Sequence, residues 1–115
     1  MSSAPTHLTT HVLDASAGTP AVAVRVVLTG PGVEEVARAR TDADGRAALG
    51  PERLPVGTYV LTFATGDYFA GRGVETFYPE VAVTFAVTDG PGGALRHHHV
   101  PLLLSPFSYS TYRGS

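Results

Sequence analysis

The sequence has 115 residues, which suits a single domain covering 1–115 and leaves no room for a separate substrate or regulatory domain. Eight Arg, no Lys and ten acidic residues give a net charge of −2, which argues against binding to nucleic acid or anionic membranes. The absence of Cys excludes disulfides, thiolate metal sites and cysteine nucleophiles. We find neither a signal-peptide pattern nor a membrane-spanning apolar run, so we expect a soluble cytoplasmic protein.

The first predicted strand covers residues 7–14. Successive side chains of a strand point to opposite faces of its sheet, and here Leu8, Thr10 and Val12 share one face. If that face meets the core, the other face points outward and carries four side chains, namely His7, Thr9, His11 and Leu13. Asp14 ends the strand and is expected to bind the backbone of the turn at 15–18.

Three runs of alternating apolar residues predict the strands in the middle of the chain, at 22–29, 59–64 and 81–87. Turns rich in Gly, Pro and Asp separate these strands. The segment Gly66–Gly73 alone suits a short helix. Six to eight short strands with turns every 8 to 12 residues predict an all-β protein, a two-sheet β-sandwich.

A histidine-rich strand is predicted over residues 96–104. The core-facing set is His98, Val100, Leu102 and Leu104, and the outward set is His97, His99, Pro101 and Leu103. The outer surface is therefore half apolar and half imidazole, which indicates a partner surface. An imidazole shielded there can act as an acid or base near neutral pH. Pro101 lacks an N–H and must occupy an edge or an unpaired position.

Two other interpretations of these histidines stay open at this point. The alternation of side chains between the two sheet faces fits a solvated strand end at His97–His99 as well as it fits a functional face. His97, His99 and His11 could also bind zinc adventitiously. A dedicated metal site is disfavoured, because no carboxylate lies in an obvious position to orient the imidazoles.

Four segments resemble the signature blocks of the 5-hydroxyisourate hydrolases of the transthyretin-like family. They are LTTHVLD at 8–14, DGR at 44–46, HVPLLLSP at 99–106 and YSTYRGS at 109–115. The resemblance covers nearly the whole chain, and its most specific part is the final YRGS, which separates the hydrolases from transthyretin itself. It implies a transthyretin-like sandwich of about eight strands with one short helix, assembled as a homotetramer with active sites between dimers.

The resemblance also implies a reaction and a set of site residues. The reaction is cofactor-free, metal-free hydrolysis of 5-hydroxyisourate to 2-oxo-4-hydroxy-4-carboxy-5-ureidoimidazoline in urate degradation. The implied catalytic residues are His11, Arg46 and His99. The substrate-binding residues are His11, Arg46, Tyr112, Arg113, Gly114 and Ser115. Many relatives carry an aromatic residue at position 98, and parity turns His98 away from the site, so its replacement should have little catalytic effect.

These residue types suit amide hydrolysis. A positioned imidazole can take a proton from water, and a guanidinium can hold substrate oxygens through two hydrogen bonds. The sequence leaves open which His activates the water, although His99 is favoured as the base with His11 as its partner. The competing hypotheses are a transthyretin-type carrier of a small ligand without catalysis and a structural β-sandwich with a metal-binding strand.

Overall fold

The structure, a computed structural model, describes residues 7–114. Strands dominate this part of the chain because β-branched runs alternate with Gly, Pro and Asp turns. In chain order the elements are β1 (Leu8–Asp14), β2 (Thr19–Pro20), β3 (Arg25–Thr29), β4 (Glu35–Arg40), β5 (Arg46–Leu49), β6 (Gly57–Phe63), α1 (Thr65–Gly71), β7 (Val81–Val87), a 3₁₀ turn (Pro91–Gly93), β8 (His98–Ser105) and β9 (Ser108–Thr111).

The strands form two sheets. In the first sheet β1 lies between β8 on one side and both β5 and β2 on the other, and β9 completes the sheet beyond β8. The second sheet has the order β4-β3-β6-β7. The predicted two-sheet sandwich with one short helix is confirmed. Within residues 7–114 no helix is long and apolar enough to span a membrane.

The core lies between the inner faces of the sheets and follows the predicted alternation. The side chains of Leu8 and Val12 in β1 are fully buried, as are those of Leu61 and Phe63 in β6. The predicted strand start at Val22 is wrong, because β3 begins at Arg25 and Val22 is 48% exposed. Ala23 has φ +62°, a left-handed conformation that interrupts an extended strand.

Asp14 fixes the end of β1 and the position of α1. Its Oδ1 accepts the backbone N–H groups of Ser16 and Ala17 at 3.0 and 3.1 Å, which confirms the predicted turn interaction. Its Oδ2 accepts the hydroxyl of Tyr68 at 2.7 Å and so ties the helix to the strand. Burial, together with Asp14, raises the pKa of Tyr68 to about 12, so this hydroxyl donates throughout the physiological pH range.

Candidate active site

The register of the first sheet arranges the outward side chains in rows. Paired residues on neighbouring strands point to the same face, at strand separations of about 4.8 Å. The strand β1 runs parallel to β8 and antiparallel to β5, so residues distant in sequence meet across it. The three rows are Ala48, Thr9, His99 and Gly114, then Arg46, His11 and Pro101, then Pro20, Leu13, Leu103 and Ser110.

The middle row brings Arg46 and His11 together as direct cross-strand partners. A turn at 42–45 leads into Arg46, and Gly45 adopts φ +76° there, a conformation that suits glycine. Asp42 Oδ1 accepts the backbone N–H of Arg46 at 3.0 Å and that of Asp44 at 2.8 Å. These hydrogen bonds fix the backbone from which the exposed Arg46 guanidinium projects.

The neighbouring row holds His99 beside Thr9. The Thr9 hydroxyl lies 2.8 Å from Nδ1 of His99 and 2.9 Å from Nε2 of His97. The alternation along β1 places Thr9 on the outer face, but no sequence pattern singles it out. Its contact with two imidazoles depends on the parallel pairing of β1 with β8, across 90 residues of chain.

Gly114 closes the opposite flank of His99. Its N–H donates to the carbonyl of His99 at 2.9 Å, which extends the β8–β9 register beyond the end of β9. A Cβ atom at position 114 would overlap with Cδ2 of the His99 ring. The imidazole is therefore held between Thr9 on its Nδ1 edge and the bare Gly114 backbone on its Cδ2 edge.

The surroundings of His99 keep its imidazole neutral. Burial lowers the pKa of His99 below the ordinary value of 6.5, and electrostatic interactions with His97, Arg46 and His11 lower it further. The backbone hydrogen bonds from Arg46 and Asp44 hold the pKa of Asp42 below its usual value, with smaller contributions from Arg46 and His11. The site therefore combines a neutral half-buried imidazole with an ionised carboxylate and an exposed guanidinium.

The site residues divide between two clefts that meet at His99. A cleft of about 370 Å³ is lined by Arg46, Asp42, Thr9 and the two outward histidines of the His97–His99 run. A second cleft of about 410 Å³ reaches from His99 to Tyr112 and Arg113. One protomer thus does not bring Tyr112 and Arg113 into the cleft of Arg46, and Ser115 lies outside the described residues.

Pro101 differs in part from its expected placement. Its register opposite His11 puts it on the outer face as predicted, yet its side chain is buried within the protomer rather than open to solvent. Pro101 occupies the inner strand β8, where it falls between the Leu102–Thr111 pair and the His99–Gly114 bridge. No backbone pair is assigned to Pro101 on the β9 side, where its carbonyl accepts the Thr111 hydroxyl at 2.7 Å, and such an unpaired position suits a residue without an N–H.

His98 points into the core, as parity predicts, and its side chain is only 6% exposed. Its Nδ1–H donates to the carbonyl of Arg96 at 2.8 Å, and its Nε2 accepts the N–H of Thr88 at 3.3 Å. The ring also packs edge-to-face against His7, with 5.1 Å between centroids. His7 is itself fully buried, so the expectation that it shares the outward face of His11 is wrong.

Replacing His98 with alanine is expected to lower stability and spare the chemistry. The substitution leaves a cavity and an unpaired Thr88 N–H, which together cost about 2–4 kcal/mol. Because the ring faces away from the site, activity per folded molecule should stay near that of the wild type. Urea unfolding and active-site-normalised rates measure the two effects. A stable but inactive His98→Ala protein would show that His98 takes part in the reaction.

The metal-binding alternative requires a group of ligands. No three His, Asp or Glu side chains among residues 7–114 are grouped so that they could hold a metal ion. The shared hydrogen-bond partner of His97 and His99 is the Thr9 hydroxyl. The geometry of these histidines is thus that of a hydrogen-bonded network.

The chain is similar to known proteins over most of its length. The model of the HIUase/Transthyretin family matches residues 8–114. The chain belongs to this family. Among its relatives, the 5-hydroxyisourate hydrolase of Caulobacter vibrioides is 47% identical over 116 residues, which cover 94% of this chain and 97% of that protein.

Solved structures of family members have the same fold. The structure of Klebsiella pneumoniae 5-hydroxyisourate hydrolase matches with a TM-score of 0.84 at 40% identity, covering 96% of this chain and 94% of that one. Sea bream transthyretin in complex with thyroxine matches with a TM-score of 0.82 at 32% identity, covering 94% of each chain. The fold thus occurs in both the hydrolase and the transthyretin branches of the family.

Proposed function

We propose that this protein hydrolyses 5-hydroxyisourate by opening its six-membered ring at an amide bond. The observation that carries the proposal is the pairing of His11 with Arg46 on the row beside the fixed imidazole of His99. The identity to 5-hydroxyisourate hydrolases supports the substrate. The sea bream structure with thyroxine makes ligand binding without catalysis the alternative, and the outward Arg and His side chains favour hydrolysis.

In the proposed reaction His99 is the general base. Its Nε2 takes a proton from water while the water oxygen attacks the amide carbonyl carbon. The carbon–nitrogen bond then breaks, and the leaving nitrogen receives a proton from His11 or from the protonated His99. A positioned base of this kind accelerates a reaction by about 10²–10⁴. The lowered pKa of His99 keeps the base unprotonated at neutral pH.

Arg46 binds the planar substrate and stabilises the charge that develops on the attacked carbonyl oxygen. A guanidinium donates two parallel hydrogen bonds, which orient a flat ring more precisely than a single ammonium can. The Asp42 hydrogen bond to the Arg46 backbone supports this role, because it fixes the start of β5. No metal or organic cofactor takes part in the proposed reaction.

The terminal residues Tyr112, Arg113, Gly114 and Ser115 are proposed to complete substrate binding. Gly114 does so by letting the chain pass against His99, and Tyr112 and Arg113 line the adjoining cleft.

We also propose a homotetramer in which another protomer covers the outer face. Leu13 and Leu103 support this, because they are cross-strand partners on that face and Leu103 is 36% exposed. Sedimentation at assay concentration tests the assembly, and the cytoplasmic location stays a prediction.

The purified protein is expected to accelerate the decay of freshly generated 5-hydroxyisourate well beyond the spontaneous rate. Ultraviolet absorbance follows the reaction directly. Activity should persist after EDTA treatment, because the proposed base and electrophile are side chains alone. Loss of activity with EDTA and its return with zinc would contradict the metal-free mechanism. A protein that binds thyroxine but leaves the decay rate unchanged would favour the carrier function.

Arg46→Lys is expected to reduce kcat/KM by about 10²–10³ while the fold stays intact. Lysine keeps the positive charge but cannot make the planar two-pronged contact. The exposed position of Arg46 leaves the core untouched by the change. Steady-state kinetics and the melting temperature are the measurements. Rates within threefold of wild type would remove Arg46 from the site, and Arg38→Lys, on the second sheet, provides the matched control.

A further inference from the structure

The hydroxyl of Thr9 lies between two imidazoles, one of which is the proposed base. Its Oγ1 is 2.8 Å from Nδ1 of His99 and 2.9 Å from Nε2 of His97. A hydroxyl has a single hydrogen to donate and two lone pairs with which to accept. It can therefore donate to only one of the two nitrogens, and at least one imidazole must donate an N–H to Thr9.

The direction of these two hydrogen bonds determines what His99 can do. If His99 donates its Nδ1–H to Thr9, its Nε2 carries a lone pair and can accept a proton from water. If Thr9 donates to Nδ1 instead, the neutral ring carries its proton on Nε2 and cannot act as a base there. The wrong tautomer disables a catalytic imidazole even when its position is unchanged.

The surroundings of the ring favour the first direction. Nε2 of His97 lies within hydrogen-bond distance of the Thr9 hydroxyl and can accept its hydrogen, which gives the continuous chain His99 Nδ1–H to Thr9 O–H to His97 Nε2. Hydrogen bonds in such a chain polarise and strengthen one another. Gly114 fills the Cδ2 edge of His99, and the hydrogen bond between this ring and Thr9 is made at Nδ1. Nε2 is thus the ring nitrogen left for water and substrate.

We propose that Thr9 is a positioning residue that sets His99 in the Nδ1–H tautomer, with His97 as the acceptor that orients the Thr9 hydroxyl. The inference rests on the proposed function, since it assigns the proton of the proposed base. When His99 takes a proton from water, the resulting imidazolium keeps its Nδ1–H bond to Thr9, and this bond becomes charge-assisted. Thr9 thus stabilises the protonated base without touching the substrate.

The charged groups around the ring act with this network. His11 on β1, Arg46 on β5 and His97 ahead of β8 are the basic groups near His99, and Asp42 supplies the negative charge at the edge of the cleft. Arg113 lines the cleft on the other flank.

The decisive experiment compares Thr9→Val with Thr9→Ser in the full chain. Valine keeps the branched shape that suits a strand and removes the hydroxyl, whereas serine keeps the hydroxyl. We expect Thr9→Val to lower kcat about 10- to 100-fold with KM within about threefold, and Thr9→Ser to restore kcat to within about threefold of wild type. Nitrogen-15 NMR of the imidazoles should show the His99 proton on Nδ1 in the wild type and a shift toward Nε2 in Thr9→Val.

The outcomes separate this inference from the proposed function. A wild-type protein without activity on 5-hydroxyisourate contradicts the function, whereas the NMR spectrum still reports the tautomer. An active wild type with its His99 proton on Nε2 overturns the role of Thr9. Wild-type kcat in Thr9→Val overturns it as well. If Thr9→Val does not fold, the wild-type tautomer decides the matter, because a His99 proton on Nε2 overturns the role of Thr9.

Discussion

His99→Ala is expected to lower kcat/KM by about 10²–10⁴ and to leave the melting temperature nearly unchanged. The variant loses the proposed base, but its side chain lies on the outer face of the first sheet and contributes nothing to the apolar core. Steady-state kinetics with freshly generated substrate measure the first effect, and thermal unfolding measures the second. Substantial activity in His99→Ala would mean that His11, or another group, activates the water.

The pH dependence gives a second signature of the same residue. Burial and nearby positive charges hold the pKa of His99 below 6.5, and the base must be neutral to act. Wild-type kcat/KM should therefore be full above pH 6.5 and fall only as the pH drops through the lowered pKa of His99. This acid limb should disappear from the residual activity of His99→Ala. The adjacent His98→Ala serves as the control, since it should lose stability rather than rate.

Deletion of residues 112–115 is expected to abolish turnover with little loss of thermal stability. Chain ends usually tolerate such changes, but here the segment makes contacts with the site. The Gly114 N–H binds the carbonyl of His99, and Tyr112 and Arg113 line the cleft beside it. The deletion leaves β9 intact, so the sheet keeps its order. Full activity in the truncated protein would show that these residues have no part in the reaction.

Gly114→Ala tests the same segment with a single methyl group. The added Cβ would overlap with Cδ2 of His99 and lie 3.0 Å from its Cγ, so the ring has to move. Gly73→Ala is a poor control because Gly73 has φ +69°, whereas Gly71→Ala adds a Cβ with no atom within 4 Å. Loss of rate in Gly114→Ala but not in Gly71→Ala would assign the effect of the deletion to the contact with His99.

The alternation of residue types determined which face each strand side chain occupies. Because successive side chains on a strand point in opposite directions, local sequence suffices to place Leu8 and Val12 in the core and His11 and His99 on the outer face. The same rule fails where the backbone leaves the extended region. Val22 belongs to the predicted strand but lies outside the observed β3, because Ala23 adopts a left-handed conformation. His7 is buried and precedes the start of β1.

Only the tertiary structure decided which outward residues meet. The alternation of side chains along a strand gives no information on which strands pair. The strands β8 and β5 are distant from β1 in sequence, and their register with β1 depends on the whole sandwich. That register sets Thr9 between His97 and His99, and it brings Gly114 against the far edge of the ring. The sequence by itself identified the candidate acid, base and cation. The long-range strand pairing determined their neighbours, because hydrogen-bond partners depend on atoms in contact across the sheet.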